Sequence, residues 1–202
     1  MRRATTDEEG PIREAMARHG VRVREVWVRP GEAVAAWAPV RGRMQVREGF
    51  LTAPAWRRAA ILAHEAGHVR LRHVPWCVAL VGVAEVALLA GRLALAPVIL
   101  AGPGALLLGT AGVLLGEAGV WAGVSALARA QEFAADRWAV EHGGITGCVW
   151  LGHLALTGHP VERGWVDRLL ATHPRPERRA GRVRRLLRGR PPHTTTVTPR
   201  PF

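Results

Sequence analysis

The spacing of charge divides this chain into three stretches. From Val74 to Ala128 the only charged residues are Glu85, Arg92 and Glu117, whereas both flanks are dense in Arg, Asp and Glu. Between Pro75 and Leu127 the sequence is almost continuously apolar, broken near the middle by Pro97, Gly102, Pro103 and Gly104. Two spans of about twenty residues joined by a tight turn fit this pattern, which is that of a transmembrane helical hairpin. A buried helical pair in a soluble protein is the alternative, but 202 residues leave too little apolar surface to cover two such helices on all sides.

The flanks carry shorter periods. Thr6 and Glu9 have capping-box spacing, so a helix is expected to run to Arg18 with Gly20 behind it. Val21, Val23, Val26 and Val28, interleaved with Arg22 and Arg24, form a strand-like run closed by Pro30-Gly31. Val34 to Ala38, ended by Pro39, and Arg43 to Arg47, with Met44 and Val46 on one face, complete a predicted three-stranded sheet. Thr52 can cap a helix with Pro54 in its first turn, running to His73 and stopped by Pro75. Beyond the hairpin the helix should continue through Gln131 to His142 and end at Gly143-Gly144. Shorter helices are predicted over Thr146–Thr157 and Val161–Ala171. From Arg175 to Arg190 eight arginines stand in a segment with helically spaced Val183, Leu186 and Leu187, and the Pro/Thr-rich tail from Pro191 to Phe202 should be disordered. The whole predicts a mostly α fold with a small β-sheet.

Composition refines this. The formal net charge is +12, and all 28 basic residues are arginine. Excess arginine beside a membrane segment is what the positive-inside bias requires, so the charge does not by itself call for nucleic acid. Both ends of a hairpin emerge on one side, and they carry Arg70, Arg72, Arg129 and Arg137 against Arg92 near the turn, so the flanks are expected to be cytoplasmic. The arginine-rich segment is either a solvated helix face or a contact for anionic headgroups, at about 1 kcal/mol per arginine. Cys77 and Cys148 cannot make a disulfide framework and suit a reducing compartment. Met1–Gly20 has no apolar core, so neither a signal peptide nor an anchor is expected there. Glu85 and Glu117 are expected at similar depth in the pair, each neutral, paired or facing a wet cavity.

His64-Glu65-Ala66-Gly67-His68 lies in the helix predicted ahead of the hairpin. Histidines four apart project from one helix face, where neutral imidazoles can bind one zinc ion per chain. Glu65, rotated about 100° from His64, can place its carboxylate beside the water instead of on the metal, as a general base requires. A catalytic zinc needs a third protein ligand, and Glu132 is the candidate, since the hairpin returns its helix to the side where the motif helix enters. Asp136 shares a face with Glu132 and can accept the outer N–H of a ligand histidine. His73 is expected at the membrane edge, and His142, His153 and His159 at the surface or at helix ends. Trp76 and Trp121 suit headgroup depth.

Three elements in order make the chain resemble the membrane-bound M48 metallopeptidases, the family of HtpX-type heat-shock proteases and CAAX-prenyl endopeptidases. They are His64 to His68, then Glu132-Phe133-Ala134-Ala135-Asp136 after a hairpin, then Thr172-His173-Pro174 followed by Arg179. The resemblance spans about Val26 to Arg185 and implies a gluzincin-like zinc endopeptidase with His64, His68 and Glu132 as ligands and Glu65 as base. It also implies His173 near the substrate oxyanion, and Arg179 is a second candidate to stabilise that charge. Where the family shows an Asn-Ala pair, this chain has Glu32-Ala33-Val34-Ala35-Ala36-Trp37. The organisation then reads as an N-terminal catalytic part (1–73), the hairpin (74–128), a C-terminal catalytic part (129–190) and the tail (191–202). A multi-pass protein of the cytoplasmic membrane is expected, cleaving membrane or misfolded proteins on its cytoplasmic side, with the strand Arg43–Arg47 pairing with extended substrate. The rivals are a non-catalytic zinc-binding membrane protein, which would show a closed four-ligand site, and a membrane-tethered binder of anionic lipid or nucleic acid, whose binding would survive loss of zinc.

Overall fold

The computed structural model describes residues 1–99, 103–144, 147–156 and 173–188. His159, the helix predicted over Val161–Ala171 and the tail lie outside the described residues. Within them the chain is mostly helical with a small mixed sheet: β1 (Arg2–Arg3), α1 (Thr6–Arg18), β2 (Glu25–Arg29), β3 (Ala36–Val40), β4 (Arg43–Arg47), α2 (Glu48–Thr52), α3 (Ala55–Arg70), α4 (His73–Ile99), α5 (Pro103–Glu141), α6 (Gly147–Ala155) and α7 (Pro176–Arg188).

Helix α1 is capped one residue earlier than its spacing suggests. The Thr5 hydroxyl accepts from the Glu8 N–H at 3.4 Å, and the Glu8 carboxylate accepts from the Thr5 N–H at 2.8 Å. Glu9 is not free for that task, because it turns into the core and accepts from the Val26 N–H at 3.1 Å. The sheet has four strands in the order β1-β2-β4-β3, the extra one being a two-residue N-terminal piece too short to leave a periodic signal. Strands β2 and β4 pair in parallel, with Val26 opposite Met44 and Val28 opposite Val46. These four side chains are buried against Ile12, Met16, Phe50, Ile61 and Leu62 and form the main core. Strand β3 runs through Pro39 because an edge strand can spare an N–H, and its pairing with β4 is irregular at that point. Strand β4 is interior, its two edges taken by β2 and β3, so it cannot pair with substrate as expected; the outer edges among the described strands belong to β3 and to the two-residue β1.

The approach to the hairpin also differs from expectation. Thr52 ends α2 and donates its hydroxyl to the Gly49 carbonyl at 3.3 Å, while α3 begins after Pro54 without a side-chain cap. It stops at Leu71 and Arg72, the latter at φ 55°, and α4 starts at His73 with Pro75 in its first turn. A proline there removes only a donor that has no helical partner, so it starts a helix instead of stopping one.

Helices α4 and α5 form an antiparallel pair, with Cys77 beside Gln131, Leu88 against Gly116, and Arg92 paired with Glu117. By length and composition both could cross a membrane, over Pro75–Pro97 (mean hydropathy 2.0) and Leu106–Glu141 (1.5), and their apolar residues are mostly exposed, Val83, Val86 and Leu107 among them. This register places Glu85 level with about Gly123, so it does not share its depth with Glu117; Glu85 is exposed and Glu117 takes Arg92 as its partner.

One close approach sets up the site. A Cβ on Gly67 would lie 3.2 Å from the Cα and carbonyl oxygen of Ala135, so glycine lets α3 and α5 touch backbone to backbone. Gly67→Val is expected to destabilise the fold by about 1–3 kcal/mol through overpacking, read as a lowered denaturation midpoint of the purified chain.

Candidate active site

The i, i+4 rule delivers His64 and His68 to one face of α3 and Glu132 and Asp136 to one face of α5, and the contact at Gly67 brings the two faces together. His64, Glu132 and Asp136 are buried at 6%, 7% and 2% exposure. The His64 and His68 Nε2 atoms lie 3.1 Å apart, and they stand 3.5 and 3.4 Å from the two Glu132 carboxylate oxygens. Tetrahedral zinc with bonds of about 2.0–2.2 Å separates its ligand atoms by about 3.3 Å, and one donor atom from each of His64, His68 and Glu132 lies within 4.8 Å of the others, so the residues present are compatible with that ion.

Hydrogen bonds behind these atoms orient them. Asp136 Oδ1 lies 3.0 Å from His64 Nδ1; with Nδ1–H donated there, the Nε2 lone pair faces the cluster. Arg179, from α7, grips Asp136 with two bonds, Nε to Oδ2 at 2.8 Å and Nη2 to Oδ1 at 2.5 Å, and its Nη1 sits 3.3 Å from Glu132 Oε2. Trp150 of α6 stacks on His64 with ring centres 5.2 Å apart. His173 Nδ1 lies 3.3 Å from Glu132 Oε1, with 72% of its side chain exposed at the site's rim. Glu65 takes its place in the adjoining cleft of about 750 Å³, which Ala38 of β3 also lines.

Two further histidines belong here that the sequence reading did not group with the site. His73 is buried at 7% exposure, and its Nδ1 is 3.0 Å from His68 Nδ1. Its carbonyl accepts from Gln131 Nε2 at 3.4 Å, and Gln131 Oε1 in turn accepts from the Cys77 thiol at 3.0 Å. His153 is buried, lines the cleft and packs on Trp150 with ring centres 5.0 Å apart. The sequence holds no periodic signal for His73, because the left-handed residue Arg72 breaks the helical spacing between it and His68; for His153, the i+3 offset from Trp150 was the available one. His142 is exposed and stacks on Trp138.

Electrostatics follow from this packing. Burial opposes charge on His64, but the Asp136 and Glu132 carboxylates outweigh it and carry the imidazole up to about 9. Burial would raise Glu132, yet bonds from His173, His64 and His68 hold it far below the usual carboxylate range. Asp136 is likewise lowered, burial being overcome by Arg179 and then His64. Glu65 moves the other way: burial raises it, with His64 and His68 pulling against that. Burial also lowers His73 and His153, each to about 4, so both are neutral at pH 7.

No curated protein and no solved structure matches the chain. The family model described as Peptidase family M48 matches residues 11–187, a span that takes in α3, both helices of the pair, and α7. The chain therefore belongs to peptidase family M48, whose members are metal-dependent peptidases that use zinc.

Proposed function

We propose that this protein is a zinc endopeptidase held in the cytoplasmic membrane by the α4–α5 hairpin, cleaving membrane or misfolded proteins at the cytoplasmic face. The observation that carries the reading is the cluster of His64, His68 and Glu132 donor atoms, all within 4.8 Å of one another and so able to hold one metal ion, beside a half-buried Glu65. A zinc ion held by those three would supply an acidified water and an electrophile for the scissile carbonyl. Glu65 takes the proton of the attacking water and returns it to the leaving amine, a dual task that its raised pKa suits. Arg179 is committed to Asp136 and Glu132, which makes it a positioning residue, and leaves His173 at the rim to donate to the developing oxyanion. The open edge of β3 borders the cleft through Ala36 and Ala38, so an extended substrate can add as a further strand and be recognised mainly by its backbone. The test is a purified full chain that cleaves an unfolded model protein, stops on chelation and recovers with zinc; a chain that binds zinc with four protein ligands and cleaves nothing sinks the reading.

His73 supports the same site from behind. With His68 presenting Nε2 to the metal, its Nδ1–H points at His73 Nδ1, and Gln131 fixes His73 from α5. His73→Leu is expected to weaken zinc binding by about 10–100-fold and His73→Asn, which keeps an acceptor, by much less, both measured by chelator competition.

The hairpin with the Arg70, Arg72, Arg129 and Arg137 bias supports this topology, and tags at the C-terminus and just before Pro75 should both report cytoplasm. Tags on opposite faces end the hairpin reading.

A further inference from the structure

Helix α7 has two faces with different employment. Pro176 and Val183 are buried, Ala180, Leu186 and Leu187 pack half-buried on the small core around Trp150 and Leu154, and Arg179 enters the site. Arg178, Arg182 and Arg185, spaced 4 and 3 apart, line up on the opposite face, exposed and without a carboxylate partner among the described residues. Their depth can be read from the hairpin. The Cys77–Gln131 hydrogen bond at 3.0 Å puts Gln131 level with a residue two places into the apolar span that begins at Pro75. Phe133 is two residues further out, about 3 Å at the helical rise. The Arg182 guanidinium carbon sits 3.8 Å from the Phe133 ring centre. Headgroups occupy roughly the first 5–7 Å outside the hydrocarbon, so this places the arginine face in that layer. Trp76, 61% exposed and one residue from Cys77, marks the same level with an amphipathic ring.

We infer that Arg178, Arg182 and Arg185 form a docking surface for the anionic phospholipid headgroups of the bilayer that α4 and α5 enter. The chemistry is that of guanidinium forks meeting phosphate oxygens, with attraction from the surface potential of an anionic leaflet. Because the same helix carries Arg179, the contact also braces the arm that grips Asp136 and Glu132. The inference rests on the membrane-hairpin reading above.

The test uses the full chain in nanodiscs of phosphatidylcholine alone or with about one-third phosphatidylglycerol. Amide exchange over 176–188 is followed by mass spectrometry, with zinc content as a check of folding. In the parent, phosphatidylglycerol should slow exchange of this segment by about tenfold, and raised salt should reduce the effect. The triple variant Arg178→Gln, Arg182→Gln, Arg185→Gln should show no lipid-dependent slowing, and the matching triple Lys variant should keep most of it. Equal exchange in the two lipids for the parent overturns the docking surface, as does slowing on added single-stranded RNA in phosphatidylcholine discs with none from phosphatidylglycerol. A chain released from vesicles of both kinds by alkaline carbonate overturns the hairpin reading, and this inference with it; a chain retained in both but indifferent to lipid charge overturns this inference alone.

Discussion

Glu65→Gln is expected to lower peptidase activity by about 10²- to 10⁴-fold while zinc content stays near one per chain. The amide keeps the size of the carboxylate, so β3 and α3 should hold their relation across the cleft that both line. It cannot take a proton from water at pH 7, which removes the base and nothing else. Glu65 also stands apart from the triangle of metal-facing atoms, which consists of two imidazole nitrogens and the Glu132 carboxylate. Zinc stoichiometry and cleavage of an unfolded model protein, measured on the same purified sample, separate the outcomes. Cleavage at the parent rate would show that Glu65 is not the base; loss of zinc along with activity would show that it ligates.

How much of this could be read from the sequence depends on which distances a helix fixes. Separations of four within one uninterrupted helix convert directly into a shared face, and for that reason His64 with His68, and Glu132 with Asp136, could be grouped before any coordinates. What joined the two pairs was the hairpin, legible as apolar length. Its register was not legible: the position of the turn suggested Glu85 opposite Glu117, whereas the side-chain contacts Cys77–Gln131 and Arg92–Glu117 shift the pair by several residues. Contacts made after a break in regular structure were lost in the same way. His73 follows a left-handed residue, so its return to His68 has no period to betray it. The sheet was legible only in part for a related reason, since β1 is two residues long and β3 contains a proline that an edge tolerates; with no strand order to go by, the expected substrate-pairing role fell on β4, which is interior. The charge pattern was visible as a count of arginines, but the division of α7 into Arg179 inside and Arg178, Arg182 and Arg185 outside required its packing on α5 and α6.

Zinc uptake by the metal-free protein should be a competition with a proton, and this gives the second large effect. With His64 carried up to about 9 by Asp136 and Glu132, its imidazole is protonated at pH 7 in the absence of metal. A protonated imidazole has no lone pair to offer, so binding must release close to one proton per zinc. The sign follows: apparent zinc affinity rises as pH rises, by about tenfold per unit between pH 7 and pH 9, and levels off above that. Glu132 contributes nothing to this slope, because its carboxyl is held ionised far below the range. Asp136→Asn removes the carboxylate beside His64 Nδ1, so affinity should fall by about 10–100-fold and the slope above pH 7 should flatten as the imidazole drops back toward its ordinary value. Glu132→Ala and His68→Ala delete donor atoms outright, and both zinc and cleavage should be lost at every pH. Chelator competition at several pH values, with calorimetry in two buffers of different ionisation enthalpy to count protons, reads all of these. An affinity that is flat between pH 7 and pH 9 in the parent, with no proton released, would mean that His64 enters the site already neutral and that the Asp136 and Glu132 carboxylates do not govern it.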